Sequence, residues 1–309
     1  MRIAVLLLLG AVVVAASAQE PDVTFRTGVS LVRIDTQVMQ GGRPVPGLTK
    51  DDFVLYDQGA PQPINYVAAD QEPLDLLLLL DVSDSMRDAI KAVNSVTGKA
   101  LEQLKEGDRV ALARFTSQFS LVVPFTEELS KIRTASEVIA AQDFSGGTDI
   151  IRALEESAAA FQSEKRTARR RAVLMITDGK APHYFRDEDA MRRLWAADVV
   201  VHALLVKSKS KESSLPIDMP KLTDATGGEA IRADQPGAAF EELMERVRRR
   251  YTILYPLPAG TAEQQRTVRV ELSEAAKKRY PKATVRARRG YVWSPDAGTS
   301  DTLVPPAPM

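Results

Sequence analysis

No cysteine occurs in the 309 residues. That excludes disulfide staples, thiolate metal centres and lipid attachment through a cysteine. Histidine is scarce: only His183 and His202 are present, no zinc spacing appears, and a Ser–His–Asp triad would need one of the two to be suitably placed. His202 falls within strand-like text and reads as core, while His183 reads as an exposed loop residue. Charge of one sign is missing as well, because 41 Lys and Arg balance 41 Asp and Glu. No global field therefore argues for nucleic acid or an anionic membrane. Two local basic runs, "EKRTARRR" (164–171) and "ERVRRR" (245–250), read as solvated helix faces or connectors. A nucleic-acid footprint needs such a patch on a recognisable binding fold. Walker loops and dinucleotide fingerprints are also lacking.

Long apolar runs are the last absence. The longest, Ile3 to Ala16, has 14 residues, short of the roughly 20 that span a bilayer. Arg2 precedes it and Ala16-Ser17-Ala18 follows at the A-x-A spacing. The pattern predicts a secretory signal peptide over 1–18, hence export to the periplasm or the extracellular space, with no membrane span in the mature chain.

What is present falls into three parts. Residues 19–73 read as a β segment: "GVSLVRIDTQVM" partly alternates, "GGRPVPG" is a turn, and "DFVLYDQGAPQPINYV" gives strand, turn, strand. Residues 74–258 alternate strands with helices. The strands read "LDLLLLL" (74–80), "RVALARF" (109–115), "FSLVVPF" (119–125), "RAVLMIT" (171–177), "DVVVHALLV" (198–206) and "YTILYPL" (251–257). Helical spacing relates Ile90, Val93, Ala100, Leu101 and Leu104, and again Ile150, Leu154, Ala158 and Phe161; 237–250 gives a third helix. Residues 259–293 return to strand-like text, expected to complete a small β domain with the N-terminal segment. The tail 294–309, rich in Pro, Ser and Thr, is expected to be disordered.

Alternating strands and helices predict an α/β fold, a doubly wound, mostly parallel sheet with helices on both faces and a small flanking β domain. Five consecutive leucines suit a central parallel strand, which is dry on both sides. Ligands in such sheets gather outside the carboxyl ends of the strands. Asp81, Ser83 and Ser85 follow the leucine strand, Asp178 follows "AVLMIT", and Thr148 lies in "SGGTDI" (145–150) before a helix. Two carboxylates and three hydroxyls therefore converge on one edge. Such a set suits a hard cation: Mg²⁺ takes oxygen ligands and keeps waters rather than accepting an all-protein cage. An open position would accept an acidic oxygen from another molecule. Each cluster taken singly has a structural explanation, as a helix N-cap, a turn or a glycine loop. Three clusters at three strand ends do not.

The motifs "DVSDS", "GGTD" and "TDG", in that order, resemble the metal-ion-dependent adhesion site of von Willebrand factor type A domains, over roughly 74–257. The resemblance implies a metal set of Asp81, Ser83, Ser85, Thr148 and Asp178, holding Mg²⁺ (or Mn²⁺ or Ca²⁺), and a protein partner that supplies an acidic side chain. Asp84 stands where the family most often has glycine. The flanking "PVPGLTKDDFVLYDQG" and "RRGYVW" resemble those of bacterial exported proteins of this class. The implied role is cation-dependent adhesion without catalysis. A metal-dependent phosphoryl hydrolase is the alternative from another class, but Ser83 stands where the haloacid dehalogenase pattern has its second aspartate. A structural envelope component with a purely stabilising metal is the third reading. The partner and the oligomeric state are not legible.

Overall fold

The computed structural model describes residues 31–69, 72–164, 169–181, 187–207, 215–258 and 264–293. The signal-peptide segment, His183 and the tail 294–309 lie outside the described residues. Strand Leu74–Asp81 is buried along its whole length. It lies between Arg109–Phe115 and Arg170–Thr177 and runs parallel to both. The sheet continues in parallel through Val199–Val206 to Ala230–Ala233. On its other side Phe119–Thr126 turns back antiparallel and forms the edge of the six strands.

The leucine run divides itself between two cores. Successive side chains on a strand point to opposite faces. Leu76, Leu78 and Leu80 accordingly pack with helices Arg87–Leu101, Leu129–Ala141 and Pro236–Arg248. Leu77 and Leu79 pack with Ile150–Ser163, Asp187–Ala196 and Met219–Ala225. Each fully buried leucine stabilises the fold by about 1.5–3 kcal/mol, and an alternating polar residue at any of these places would be buried without a partner. Helices Leu129–Ala141, Asp187–Ala196 and Met219–Ala225, and the short strand Ala230–Ala233, are additional to those read from periodicity.

A second unit is assembled from both flanks. One antiparallel sheet orders Thr284–Ala287, Leu31–Gln40, Tyr251–Pro256 and Tyr66–Ala69 side by side. Another orders Gly290–Trp293, Gln264–Leu272, Phe53–Asp57 and Ala60–Gln62. Ile34, Leu55, Ile253, Tyr255, Val268 and Leu272 share the core between them. Asp57, at the end of its strand, accepts hydrogen bonds from the hydroxyls of Tyr255 (2.9 Å) and Tyr291 (2.7 Å) and from Arg266 (2.9 Å).

Two expectations are corrected here. Strand Tyr251–Pro256, read as part of the main sheet, pairs instead with Leu31–Gln40 and Tyr66–Ala69. Its five residues Tyr251 to Tyr255 are buried on both faces, so its apolar text looks like that of a parallel central strand whichever sheet takes it. The basic runs are only partly solvated: Arg249 is exposed, but other arginines of the runs are not. Arg170, Arg171, Arg248 and Arg250 are buried. Arg170 Nε and Arg250 Nε donate to the two carboxylate oxygens of Asp35, at 2.9 and 2.6 Å. Arg170 also donates to the carbonyls of Val247 and Arg248, capping the helix that ends there. Arg248 pairs with Asp108 at 3.1 Å. Through Asp35, Arg170 and Arg250 join the parallel-sheet unit to the flanking sheets. Their carboxylate partners are distant in sequence, which is why a run of basic residues in one dimension looked unpaired. Nearby, His202 is fully buried in its strand, and burial holds its imidazole well below the usual range and hence neutral.

Candidate metal centre

The parallel pairing of the central strands brings their carboxyl ends to one edge. Asp81 is the last residue of its strand and is fully buried. Asp178 follows Thr177, the last residue of the neighbouring strand. Between the leucine strand and its helix, residues 84–86 form a short 3₁₀ turn with Ser83 in extended conformation at its start. That turn places Ser83 and Ser85 above the strand end.

Four of the five sequence-derived residues are joined by hydrogen bonds. Ser85 Oγ donates to Asp178 Oδ2 at 2.9 Å. Ser83 Oγ lies 3.4 Å from Ser85 Oγ. The backbone N–H of Ser83 donates to Asp81 Oδ1 at 3.0 Å, and that of Lys180 to Asp178 Oδ1 at 3.1 Å. Thr148 is brought to the same edge through its loop. The N–H of Asp149 donates to the carbonyl of Thr116 (2.9 Å), just beyond the end of Arg109–Phe115. Gly146 sits at φ +99 with Thr116 against it, a conformation that side chains rarely adopt. Thr148 is buried, but its hydroxyl makes no hydrogen bond to the other four among the described residues. Asp149 plays a different part, since its side chain accepts from the N–H of Arg152 and caps helix Ile150–Ser163.

Thr177 was not singled out from sequence. Its hydroxyl donates to Asp81 Oδ2 at 2.7 Å and accepts from the N–H of Gly179 at 3.1 Å. It therefore ties the two carboxylate loops together. The available signal was a hydroxyl directly after the apolar run 172–176 and directly before Asp178. Gly179 in turn takes φ +74 against Leu205 and Met219.

The electrostatics of this edge are unbalanced. Burial, with a smaller push from the charge of Asp178, raises the Asp81 carboxyl to about 6 against the opposing hydrogen bonds from Ser83 and Thr177. Asp84 is exposed and has negative φ, so the turn does not need the glycine most often found there in the family. Among the described residues, no cluster of three Asp, Glu or His side chains exists that could hold a metal. A centre here must use hydroxyls together with two carboxylates. Those are hard oxygen donors, and they suit Mg²⁺ or Ca²⁺ rather than a soft metal.

Residues 76–180 match the family model described as the von Willebrand factor type A domain, a span that includes all five candidate ligands. Over that span the chain is similar to a von Willebrand factor type A domain. Solved structures similar to it include a von Willebrand factor type A protein from Catenulispora acidiphila, at 14% identity and a TM-score of 0.49, covering 84% of this chain and 76% of that one. An aerotolerance-related membrane protein from Bacteroides fragilis NCTC 9343, with multiple mutations to serines, is 17% identical with a TM-score of 0.46. It covers 56% of this chain and 98% of its own. The conserved hypothetical protein BatB from Bacteroides thetaiotaomicron is 18% identical, with a TM-score of 0.44 and coverage of 56% and 97%. No curated protein matches the chain. Among the described residues, no helix is long and apolar enough to cross a membrane.

Proposed function

We propose that the type A domain is a divalent-cation-dependent binding module of an exported protein. In this reading Asp81, Ser83, Ser85, Thr148 and Asp178 hold Mg²⁺, and the ion offers an open position to an acidic side chain of a protein partner. The observation that carries the reading is the unbalanced edge: two carboxylates share a relay of hydroxyls, and one of them is buried with its carboxyl pushed up to about 6. A cation would relieve that cost. Asp81 and Thr177 fix the floor of the site, Ser83 and Ser85 present hydroxyls, and Asp178 supplies charge beside Ser85. The molecule acts by binding rather than turnover, because Ser83 occupies the place at which a phosphoryl hydrolase would need a second carboxylate.

The test is calorimetric titration of Mg²⁺ into residues 19–309, with Asp178→Ala as control. Saturable binding that the substitution abolishes supports the centre; a flat titration in the wild type would sink it. Pull-down from an envelope fraction, with and without EDTA, asks for the acidic partner. A partner retained equally in EDTA would remove the metal from the interaction. Turnover on a phosphoester panel would overturn the binding reading in favour of hydrolysis.

A further inference from the structure

A groove of about 530 Å³ lies in the flanking unit, away from the candidate metal centre, between Gln264–Leu272 and Thr284–Ala287. Its lining includes four arginines, Arg269, Arg286, Arg288 and Arg289, and one acidic residue, Asp224. Arg269 and Arg289 are well exposed, with 59% and 71% of their side-chain surface open to solvent. Arg269 also stacks over the ring of Tyr56 at 4.2 Å. Arg288 is buried; it donates to Asp198 and to the carbonyl of Arg33, and its Nε has no hydrogen-bond partner. Arg286 and Arg289 both reach Asp224. Arg269 pairs with Glu271. A guanidinium has five donors, so Arg269, Arg286 and Arg289, each paired with one carboxylate, keep donors for a further acceptor.

The backbone adds a second feature. Thr284–Ala287 is the terminal strand of its sheet and pairs within it on one side only, with Leu31–Gln40. Its far end is covered, because Arg288 bridges to Thr226 and the N–H of Arg289 donates to the carbonyl of Ala225 at 3.0 Å, so the open edge is the stretch before Ala287. Across the groove, Val268 to Leu272 pair with Phe53–Asp57, whereas Gly290–Trp293 pairs only as far as Thr267. The two strands are stitched at the head of the groove, where the N–H of Val268 donates to the carbonyl of Arg289 at 2.9 Å. Beyond that point Val268, Val270, Val285 and Ala287 contribute apolar lining between the arginines. An open strand edge accepts an extended chain through main-chain hydrogen bonds, while alternate side chains set specificity.

We infer that this groove binds an extended segment of a partner protein in which acidic and apolar residues alternate, its main chain adding to the edge of Thr284–Ala287 and its carboxylates meeting the arginines. This inference does not rest on the metal reading. The test uses a fluorescein-labelled peptide of alternating Glu and Val, its Lys–Val counterpart and a labelled oligothymidylate, each titrated into residues 19–309. The expected result is saturable binding of the Glu–Val peptide alone, unchanged by EDTA and by Asp178→Ala. The double variant Arg269→Ser, Arg289→Ser alters only exposed side chains and should weaken binding about tenfold or more. Hydrogen exchange should slow at the amides of 284–287 when the peptide binds. Three results would each overturn the inference: absence of saturable binding, equal binding by the double variant, or protection confined to residues outside the groove. Equal binding of oligothymidylate would replace the peptide with a general polyanion.

Discussion

Asp35 and Asp81 are both buried aspartates, yet they sit in opposite electrostatic situations. At Asp35 burial pushes the carboxyl up, but Arg170 and Arg250 overcome it and hold the group well below the usual carboxylate range. At Asp81 the same desolvation dominates. The partners are hydroxyls and N–H groups, the nearby charge is another carboxylate, and the carboxyl ends up at about 6. The first region is complete in itself and joins two units of the fold. The second is left short of positive charge. A buried acid whose charge the protein balances reads as architecture; one whose charge the protein leaves open reads as a place for something else.

The largest effect is expected where the charge is balanced. Asp35→Ala leaves Arg170 and Arg250 buried without their carboxylate and should cost about 3–5 kcal/mol in urea unfolding. Asp81→Asn, unfolded in EDTA at pH 7, should lose nothing and gain stability instead. Equal losses in the two variants would erase the distinction between the regions.

Mg²⁺ should separate them next. At 100 times its dissociation constant the ion should add about 2.7 kcal/mol if it binds only the folded state. Thermal melts should show the gain in wild type and in Arg269→Ser, and no gain in Asp178→Ala. A gain that survives in Asp178→Ala would place the ion elsewhere.

The pH dependence is smaller and opposite in sign at the two sites. Asp81, with its folded pKa raised, binds its proton more tightly in the folded state. Metal-free stability should therefore fall as pH rises from 5 to 7, by about 1 kcal/mol. Asp35, with its folded pKa lowered, contributes stability that is lost only as pH falls below the ordinary carboxylate range. Melts in EDTA at pH 5 and 7 compare the first case, with Asp81→Asn as the control that should abolish the difference. A difference unchanged in that variant would assign the titration to another group.

Asp84 should give the smallest effect. Two unit charges about 6 Å apart interact by roughly 3 kcal/mol at an effective dielectric near 20. Asp84 is exposed, so screening should reduce this to under about 1 kcal/mol. Asp84→Gly and Asp84→Asn should weaken Mg²⁺ a few-fold and strengthen an acidic partner slightly. Loss as severe as in Asp81→Ala would make Asp84 a ligand.

The sequence carried the parallel sheet because five leucines ending in Asp81 have few other places to go. That Asp81, Ser83, Ser85 and Asp178 would meet at one edge was legible for the same reason: hydroxyls and carboxylates stand directly after apolar strands. Thr177 was hidden because a threonine at a strand's end is ordinary β-sheet chemistry until its neighbour is known. Tyr251–Pro256 was placed in the wrong sheet because an apolar run reports burial and not the identity of its partners. The buried arginines were misread for a related cause. Arg250 meets Asp35 across 215 residues, and no local pattern encodes such a pairing.

That span also sets the order in which the molecule can be built. Strand Leu31–Gln40 is made early, but its partners Tyr251–Pro256 and Thr284–Ala287 come last. A chain emerging from a ribosome or a translocation channel can assemble the parallel sheet from 74–233 while its first long strand still waits. Pairings so distant in sequence are slow to form, because loop closure must come before the contacts that reward it. During that interval the waiting strand is open to proteases and to other chains. The flanking unit thus matures after the parallel sheet, and it closes only once the chain has emerged as far as Trp293.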